Sequence, residues 1–275
     1  MIIDFHTHAF PEKIAERTIQ ALANASNDTP YADGTVSGLL SLMDKANVDL
    51  SVCLPVMTKP TQFDSLNRFA IELNERFKGQ KKGIISFGGI HPLCDNIPEK
   101  MKFLKDNGIK GVKIHPDYQD TFINDSNYIK ILNEAKELDM IVVTHAGIDN
   151  GYPNSPVKCP PELALDAIKK TGHKKFVLAH FGGHKLSKEV LETLCGTDVY
   201  FDTALVLNEI DKQTFVSILD KHGADKILFA TDSPWRDVSK DVEIIKGYGL
   251  EKEVLDNILY KNAIKLLGLE KTYGI

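Results

Sequence analysis

Several features that define particular classes of protein are scarce in this sequence of 275 residues. It contains only four cysteines, none with CxxC spacing, so a disulfide framework is excluded and a reducing compartment is indicated. No apolar run reaches the roughly 18 residues that cross a bilayer, and the first residues lack the basic start and apolar stretch of a secretion signal. We therefore expect a cytoplasmic protein with no membrane partner.

An excess of charge of one sign is also lacking. The chain has 33 Lys plus Arg against 38 Asp plus Glu, a formal net charge of -5, and no long block of either sign. This balance does not favour nucleic acid as a partner, so we expect a small-molecule substrate. The composition is that of an ordinary globular protein, and it leaves open whether the chain forms a homodimer.

Short runs rich in Ile, Val and Phe recur between amphipathic segments, which is typical of βα units and a parallel sheet. Eight such runs alternate with helical patterns. They predict an α/β fold, a (β/α)8 TIM barrel that residues 1–275 form as a single domain. The predicted strands lie at 1–5, 50–54, 83–88, 111–114, 141–144, 176–179, 199–202 and 227–230.

Two connections of the predicted barrel are longer than the others. The first follows strand one and holds two helical patterns, at 11–25 and 37–47, around a polar stretch. The second follows strand five, where residues 147–161 contain four prolines and no apolar period, so neither a helix nor a strand ladder can form. We interpret both as elaborated loops and expect the second to lie over the barrel mouth.

Most of the histidines follow predicted strands. Because the βα loops of a barrel converge at the C-terminal ends of its strands, side chains placed there share one site. Six of the nine histidines fall within three residues after a predicted strand, which predicts a functional site at the barrel mouth. The six are His6, His8, His91, His115, His145 and His180.

The alternation of side chains along a strand sharpens this prediction. His6 and His8 share one face with Asp4, so they are expected to point into the barrel, and Ile3 and Phe5 are expected to face the helices. Imidazole and carboxylate groups together are ligands of a catalytic zinc or a similar divalent ion. The same alternation brings three further polar side chains to the inner rim: His145, His180 and Asp232.

These residues lie in motifs that resemble those of the amidohydrolase superfamily, in the branch often called amidohydrolase 2. The motifs span nearly the whole chain and follow the family order, which makes the set far more specific than a single His-x-His. They are Ile-Asp-Phe-His-Thr-His at 3–8, Gly-Val-Lys-Ile-His-Pro at 111–116, Thr-His-Ala-Gly at 144–147, Ala-His-Phe-Gly-Gly at 179–183, Ala-Thr-Asp-Ser-Pro-Trp at 230–235 and Lys-Asn-Ala-Ile-Lys-Leu-Leu-Gly at 261–268.

The resemblance implies a metal-dependent enzyme. The implied ligands of one zinc, or of another divalent ion such as manganese, are His6, His8, His145 and Asp232. His180 would bind a second metal or hold the substrate and water. A divalent ion lowers the pKa of bound water to about 7 and polarises a substrate oxygen. Asp232 would accept the water proton and pass it to the leaving group, with His180 as the second proton-handling group.

Lys113 shares a face with His115 at the end of the fourth strand, where binuclear members of the superfamily carry a bridging carboxylated lysine. A free ammonium beside a divalent cation is electrostatically unfavourable. Lys113 is therefore expected to be carboxylated, paired with a carboxylate or bound to an anionic substrate, and the non-functional alternative is a lysine that extends to the barrel top. Because many members of this branch are mononuclear, we expect one metal ion per chain.

Four further residues are candidate substrate contacts. His91 and His115 each precede a proline, so each could instead belong to a turn. Arg236 is one of four arginines, and it could bind a substrate carboxylate through two nitrogens or pair with Asp237 or another acid at the surface. Trp235, the only tryptophan, could line the pocket or pack the last loop.

The remaining three histidines receive structural interpretations. His184 is expected on the polar surface at the start of a helix. His173 and His222 adjoin glycines at helix C-termini, where an imidazole favours the negative end of the helix dipole. None of the three is expected to contact substrate.

Three functions are compatible with these motifs. The leading hypothesis is hydrolysis of a small amide, lactone or ester, with Asp232 as general base and acid. The second is non-oxidative decarboxylation of a small aromatic or unsaturated carboxylic acid at the same metal site, since resembling enzymes carry out that reaction. The third is a barrel that binds a metal or metabolite without turnover. It is disfavoured because a purely structural zinc is closed by four protein ligands away from a cleft.

Overall fold

Short parallel strands alternate with helices in the computed structural model, which describes residues 1–274. The strands are β1 (Ile3–Thr7), β2 (Leu50–Cys53), β3 (Gly83–Ser86), β4 (Gly88–Gly89), β5 (Gly111–Ile114), β6 (Ile141–Thr144), β7 (Phe176–Leu178), β8 (Tyr200–Asp202) and β9 (Ile227–Leu228). The helices are α1 (Glu12–Ser26), α2 (Val36–Ala46), α3 (Phe63–Phe77), α4 (Ile97–Asp106), α5 (Ser126–Glu137), α6 (Pro161–Thr171), α7 (Ser187–Thr193), α8 (Lys212–His222), α9 (Val238–Gly247), α10 (Lys252–Asp256), α11 (Asn262–Leu267) and α12 (Glu270–Tyr273).

The strands close into a parallel barrel. β1, β2 and β3 pair in that order, and β4 to β9 pair in chain order. β3 and β4 are two halves of the third predicted strand, separated at Phe87, and they pair with the neighbours on either side. β9 meets β1 where the Phe5 N–H donates to Phe229 O (2.9 Å) and Thr7 pairs with Ser233. The predicted α/β TIM barrel is confirmed.

Both elaborated loops lie where the sequence predicts them. The first contains α1 and α2, and each helix is displaced by one residue from its predicted bounds. α2 begins after Thr35, whose side-chain oxygen accepts from the Gly38 N–H (2.9 Å). The second loop contains no helix before α6, and its Asp149 and Asn150 line the cavity at the barrel mouth.

The barrel interior is apolar beneath the mouth. Ile3 and Phe5 of β1 pack there with inward-facing residues of the other strands, and residues of the opposite parity pack against the helices. The prediction that Ile3 and Phe5 face the helices is therefore wrong. Asp4 lies on the other side of β1, where its carboxylate accepts from the Thr231 N–H (3.0 Å) and hydroxyl (2.6 Å).

Two departures from regular strand geometry bring histidines to the mouth despite this parity. The register between β1 and β2 shifts between Asp4 and Thr7, and His6 within this shift lies in the cavity. His180 has a left-handed backbone with φ 58° and also lies in the cavity, although Leu178 faces the helices. Simple alternation cannot anticipate either feature, because a bulge and a left-handed residue both reset which face a side chain takes.

The C-terminal helices close the opposite end of the barrel, which we call the floor. Ile264 and Leu267 of α11 are buried against the interior cluster. The Lys110 ammonium donates to Leu267 O (2.9 Å) just before β5, and the Tyr273 hydroxyl donates to Lys81 O (2.8 Å) just before β3. The floor is thus apolar inside and hydrogen-bonded at its rim.

Across residues 1–274, no helix combines the length and apolar character that a bilayer span needs. The cysteines carry free thiols, three of them buried and one partly exposed. They are Cys53, Cys94, Cys159 and Cys195.

Candidate active site

A cavity of about 390 Å³ opens at the mouth of the barrel. Side chains from the ends of β1, β5, β6, β7 and β9 converge on it, and its size suits a small-molecule ligand. The cavity brings together most of the residues predicted to form the site. They are His6, His8, Lys113, His115, His145, His180, Asp232 and Trp235.

His6 in β1 and His8 directly after it each donate from Nδ1 to a protein oxygen. The Nδ1–H of buried His6 donates to Asp202 Oδ2 (2.9 Å), and the Nδ1–H of His8 donates to Leu54 O (2.8 Å). Burial and the nearby Lys113 lower the pKa of His6, so its ring is neutral. Neutral His6 therefore has an unprotonated Nε2, which accepts from the Lys113 ammonium, and the Nε2 of His8 also faces the cavity.

Both Nε2 atoms face one carboxylate oxygen. Asp232 Oδ1 lies 2.9 Å from His8 Nε2 and 3.2 Å from His6 Nε2, and one donor atom from each residue lies within 4.8 Å of the others. The contact between His8 Nε2 and the carboxylate is a hydrogen bond, and a divalent cation can take the place of the proton between the two atoms. This set of imidazoles and a carboxylate suits zinc or manganese.

Asp232 is positioned by its backbone. It has a left-handed conformation, φ 69°, and its N–H donates to His6 O (2.8 Å), so the last strand presents the carboxylate to the histidines of the first. Burial opposes ionisation, but His6 and His8 outweigh it and hold the pKa of Asp232 well below the ordinary value. The carboxylate is therefore available as an anionic ligand.

His145 and His180 form a second directed pair. The Nδ1–H of His180 donates to Ala204 O (3.1 Å), and its Nε2 accepts from His145 Nδ1–H (2.9 Å). Burial lowers the pKa of His180 to about 3. His180 thus has no free nitrogen, whereas the buried Nε2 of His145 has no hydrogen-bond partner among the described residues. A bare buried nitrogen of this kind fits a metal ligand.

His145 also belongs to a group away from β1. The ring of His115 stacks on His145 at 4.4 Å and on Tyr118 at 4.0 Å. Asp149 Oδ2 lies 3.3 Å from His115 Nε2 and 3.9 Å from His145 Nε2. His115, His145 and Asp149 thus form a second group that could hold a metal ion, with one donor atom from each residue within 4.8 Å of the others.

Lys113 is buried beside the β1 histidines. Its ammonium donates to His6 Nε2 (3.1 Å). Burial lowers the pKa of Lys113 to about 8, although Asp202, Asp232 and Asp149 oppose the shift. Within residues 1–274, no carboxylate oxygen lies within 4.0 Å of this ammonium, so direct pairing with a carboxylate, one of the predicted states, is not what the structure shows.

Two predicted substrate contacts lie outside the cavity lining. His91 Nδ1 accepts from the Leu93 N–H (3.1 Å), as expected of a turn. The guanidinium of Arg236 donates to Asp241 Oδ1 (2.9 Å), and the Asp241 side chain is fully buried. Arg236 therefore pairs with an acid of α9, while its neighbour Trp235 lines the cavity.

Three cavity or supporting residues were missed from the sequence. Asp202 ends β8 and orients His6, and its position at a strand terminus was a usable signal. Asp149 lies in an irregular loop without any periodic signal. His184, predicted on the surface, is buried: it donates from Nδ1 to Ile148 O (2.7 Å) and its Nε2 lies 2.8 Å from Glu209 Oε2. The surface interpretation of His184 is wrong because the loop before α7 folds back over the mouth.

Sequence comparison identifies the family. A family model described as Amidohydrolase matches residues 3–269, nearly the whole chain. The chain belongs to the amidohydrolase family. No curated protein matches this amidohydrolase in sequence.

Solved structures share the fold of this amidohydrolase at low identity. A 5-carboxyvanillate decarboxylase from Novosphingobium aromaticivorans with bound manganese has a TM-score of 0.71 at 12% identity, over 98% of this chain and 97% of that chain. A protein from Acinetobacter baumannii described as a 2-pyrone-4,6-dicarboxylic acid hydrolase has a TM-score of 0.68 at 17% identity, over 97% of this chain and 99% of that chain. A 2,6-dihydroxybenzoate decarboxylase from Rhizobium has a TM-score of 0.63 at 16% identity, over 98% of this chain and 99% of that chain.

The family match confirms the predicted resemblance and the prediction of an enzyme. The family is metal-dependent, and one relative holds manganese. Because the relatives include decarboxylases and a hydrolase, both predicted reactions fit this amidohydrolase at the level of the family.

Proposed function

We propose that this amidohydrolase is a metal-dependent hydrolase of a small amide, lactone or ester. The observation that carries the proposal is the contact between His8 Nε2 and Asp232 Oδ1 at 2.9 Å, with His6 Nε2 at 3.2 Å from the same oxygen. Two imidazole nitrogens and a carboxylate oxygen converge at an open cavity, and an open position is what distinguishes a catalytic from a structural metal site.

One ion per chain, zinc or manganese, would be held by His6, His8 and Asp232, and the free Nε2 of His145 would join them from the neighbouring group that it forms with His115 and Asp149. When bound, such an ion lowers the pKa of a water and polarises a substrate carbonyl. The donor set itself is prepared by hydrogen bonds behind it, since Asp202 and Leu54 O fix the two β1 rings.

The residues around these ligands have separable roles in the proposal. Asp232 accepts a proton at its carboxylate and later returns it to the leaving group. His180 is a positioning residue, because both of its nitrogens are engaged and it fixes the tautomer of His145. Lys113 can lose its proton near pH 8, which would relieve repulsion between its ammonium and a divalent ion beside His6.

Decarboxylation of a small aromatic or unsaturated acid is the second candidate, and Lys113 is the observation that favours it. Among the described residues that line the cavity, Lys113 is the only lysine or arginine, and its ammonium is buried. A substrate carboxylate would gain most of its electrostatic stabilisation there. A barrel that only binds a metal or metabolite is less well supported, because the cavity leaves room beside the donors for a reacting molecule.

Metal analysis and a substrate panel test the proposal. The purified protein, dialysed against zinc or manganese, should retain one ion per chain, and the Asp232→Asn variant should retain less. Asp220→Asn, at an exposed position on α8, is the matched control. The loaded protein is then assayed with lactones, esters and amides in H₂¹⁸O and with aromatic acids under carbon dioxide detection. Label in a carboxylate product supports hydrolysis, carbon dioxide release supports decarboxylation, and a protein that retains no ion contradicts both.

A further inference from the structure

We infer that the cavity has a built subsite for an unbranched apolar chain, so that the substrate carries an acyl or alkyl tail. This inference rests on the proposed function, which supplies the polar reactive end of the same molecule. The subsite is the part of the cavity between α1 and α3, and we call it the apolar arm. Its wall is formed by Ile14, Leu22, Val56, Leu66 and Phe69.

Helical spacing places these side chains along two facing stripes. On α1 the lining residues Ile14, Thr18 and Leu22 are four residues apart, so they lie along one face of the helix. On α3 the lining residues are Ser65, Leu66 and Phe69, of which Leu66 and Phe69 are three apart and share a face. The arm therefore extends along both helices, away from the histidines at the ends of the strands.

The wall is mainly apolar, with the hydroxyls of Thr18 and Ser65 beside the apolar side chains, and the protein itself does not fill the arm. Ile14, Leu22 and Phe69 remain partly exposed, whereas Ile19 of α1 and Leu73 of α3, which do not line the cavity, are buried in the usual way. Apolar surface left accessible inside a concave site gains free energy when a ligand removes it from water. A hydrocarbon chain that enters from the metal end would cover this surface.

Charge excludes other occupants of the arm. Among the described lining residues, the basic side chains are Lys113 and the histidines, which stand at the donor end, and none lies on α1 or α3. The one charged residue of the cavity that follows α1 is the acid Asp28. A second carboxylate or a phosphate on the substrate would therefore meet no cation in the arm and would be repelled at its outer end. A neutral chain is the occupant that fits.

Hydroxamic acids of increasing length test the inference, because their head binds divalent metals and their tail is an unbranched chain. We would titrate acetohydroxamic, butyrohydroxamic, hexanohydroxamic and octanohydroxamic acids into the zinc-loaded protein by calorimetry. The expected result is an affinity that rises about fourfold per added methylene until the arm is full.

Variants of α1 separate the arm from unspecific apolar binding. Thr18→Trp would plug the arm, so octanohydroxamic acid should bind no more than about threefold more tightly than acetohydroxamic acid. Arg17→Trp, exposed on the same helix and outside the cavity, is the matched control and should keep the full dependence on length. If Thr18→Trp fails to fold, Leu22→Gln against Ala21→Gln repeats the comparison with a smaller change, and the dependence on length should weaken only in Leu22→Gln.

The outcomes are distinct. An affinity that grows with length and loses this growth in the plugged variant supports the apolar arm. If all four acids bind the zinc-loaded protein equally, or if Arg17→Trp changes the length dependence as much as Thr18→Trp, the arm is refuted and the metal site stands. If no hydroxamate of any length binds the zinc-loaded protein, the inference and the proposed function are both overturned.

Discussion

The two ends of the barrel use histidine in opposite ways. Near the floor, His222 donates from Nε2 to Val199 O (3.1 Å), accepts from the Gly196 N–H at Nδ1 (3.3 Å) and stacks on Phe201 at 3.8 Å. Both of its nitrogens have protein partners. At the mouth, His8 donates from Nδ1 to Leu54 O, and its Nε2 meets the carboxylate of Asp232 at the open cavity.

The difference separates stability from chemistry. A buried imidazole with both nitrogens satisfied stabilises one folded arrangement and has no capacity left for a ligand. Imidazole and carboxylate groups that converge at an open cavity leave room for a ligand between them, so we expect them to serve binding rather than stability. Changes at the mouth should therefore affect metal and activity, whereas changes at the floor should affect the free energy of unfolding.

The largest effect is expected for Asp232→Asn at the mouth. Loss of the anionic ligand and proton acceptor should lower turnover about 10³-fold on the substrate that the panel identifies, and should reduce bound metal. The metal-free variant should still fold, because the change is confined to the mouth and leaves the apolar interior intact. Steady-state kinetics, metal analysis and urea unfolding measure the three quantities. Turnover near the wild-type value would contradict the assignment of Asp232.

Ile264→Ala at the floor should produce the next largest effect. Ile264 is fully buried in the interior cluster, so truncation should lower the free energy of unfolding by about 3 kcal/mol. Metal content per folded molecule should not change. The control is Lys265→Ala at the exposed neighbouring position, which should cost less than about 0.5 kcal/mol. Loss of metal in Ile264→Ala at full stability would abolish the distinction between floor and mouth.

The pH dependence of unfolding should reveal His222. Burial lowers its pKa to about 4 from an ordinary 6.5, so the folded protein binds fewer protons than the unfolded chain between these values. Stability from this group is complete above pH 6.5 and falls as the pH decreases, by about 2 kcal/mol at pH 5. His222→Gln should remove that part of the slope in urea unfolding from pH 7 to 5. A slope identical to the wild type would show that folding does not lower the pKa of His222.

The smallest effect is expected for Arg236→Met, which tests the role predicted from the sequence. Because its guanidinium pairs with buried Asp241, the change should lower the free energy of unfolding by about 1 kcal/mol. It should leave KM unchanged, and Arg17→Met on exposed α1 is the control. A large rise in KM without a change in stability would favour the predicted substrate contact over the ion pair.

Local signals made much of the fold predictable. The eight strands of the barrel follow from apolar runs between amphipathic helices, and the second loop follows from the prolines in 147–161. The orientation of residues on β1 could not be predicted from local signals. The register shift between Asp4 and Thr7 depends on pairing with a strand that lies more than forty residues away. Helix and strand patterns are local properties, whereas strand register is not.

The residues of the candidate site also divide into those that the sequence could predict and those that it could not. His6, His8, His145 and Asp232 could be predicted because strand ends of a parallel barrel converge, and Asp202 could have been added by that rule. Asp149 and His184 could not, because they lie on irregular segments whose paths over the mouth have no sequence period. The pairing of Arg236 with Asp241 was likewise open, since a surface acid and a buried one are alike in sequence.

The amino-acid sequence by itself determined the kind of chemistry, because imidazoles and carboxylates at successive strand ends have few uses other than holding a metal ion. Only the tertiary structure decided which nitrogen atoms are free. That choice depends on hydrogen-bond partners such as Asp202, Leu54 O and Ala204 O, which come from distant strands and meet the histidines only when the barrel closes.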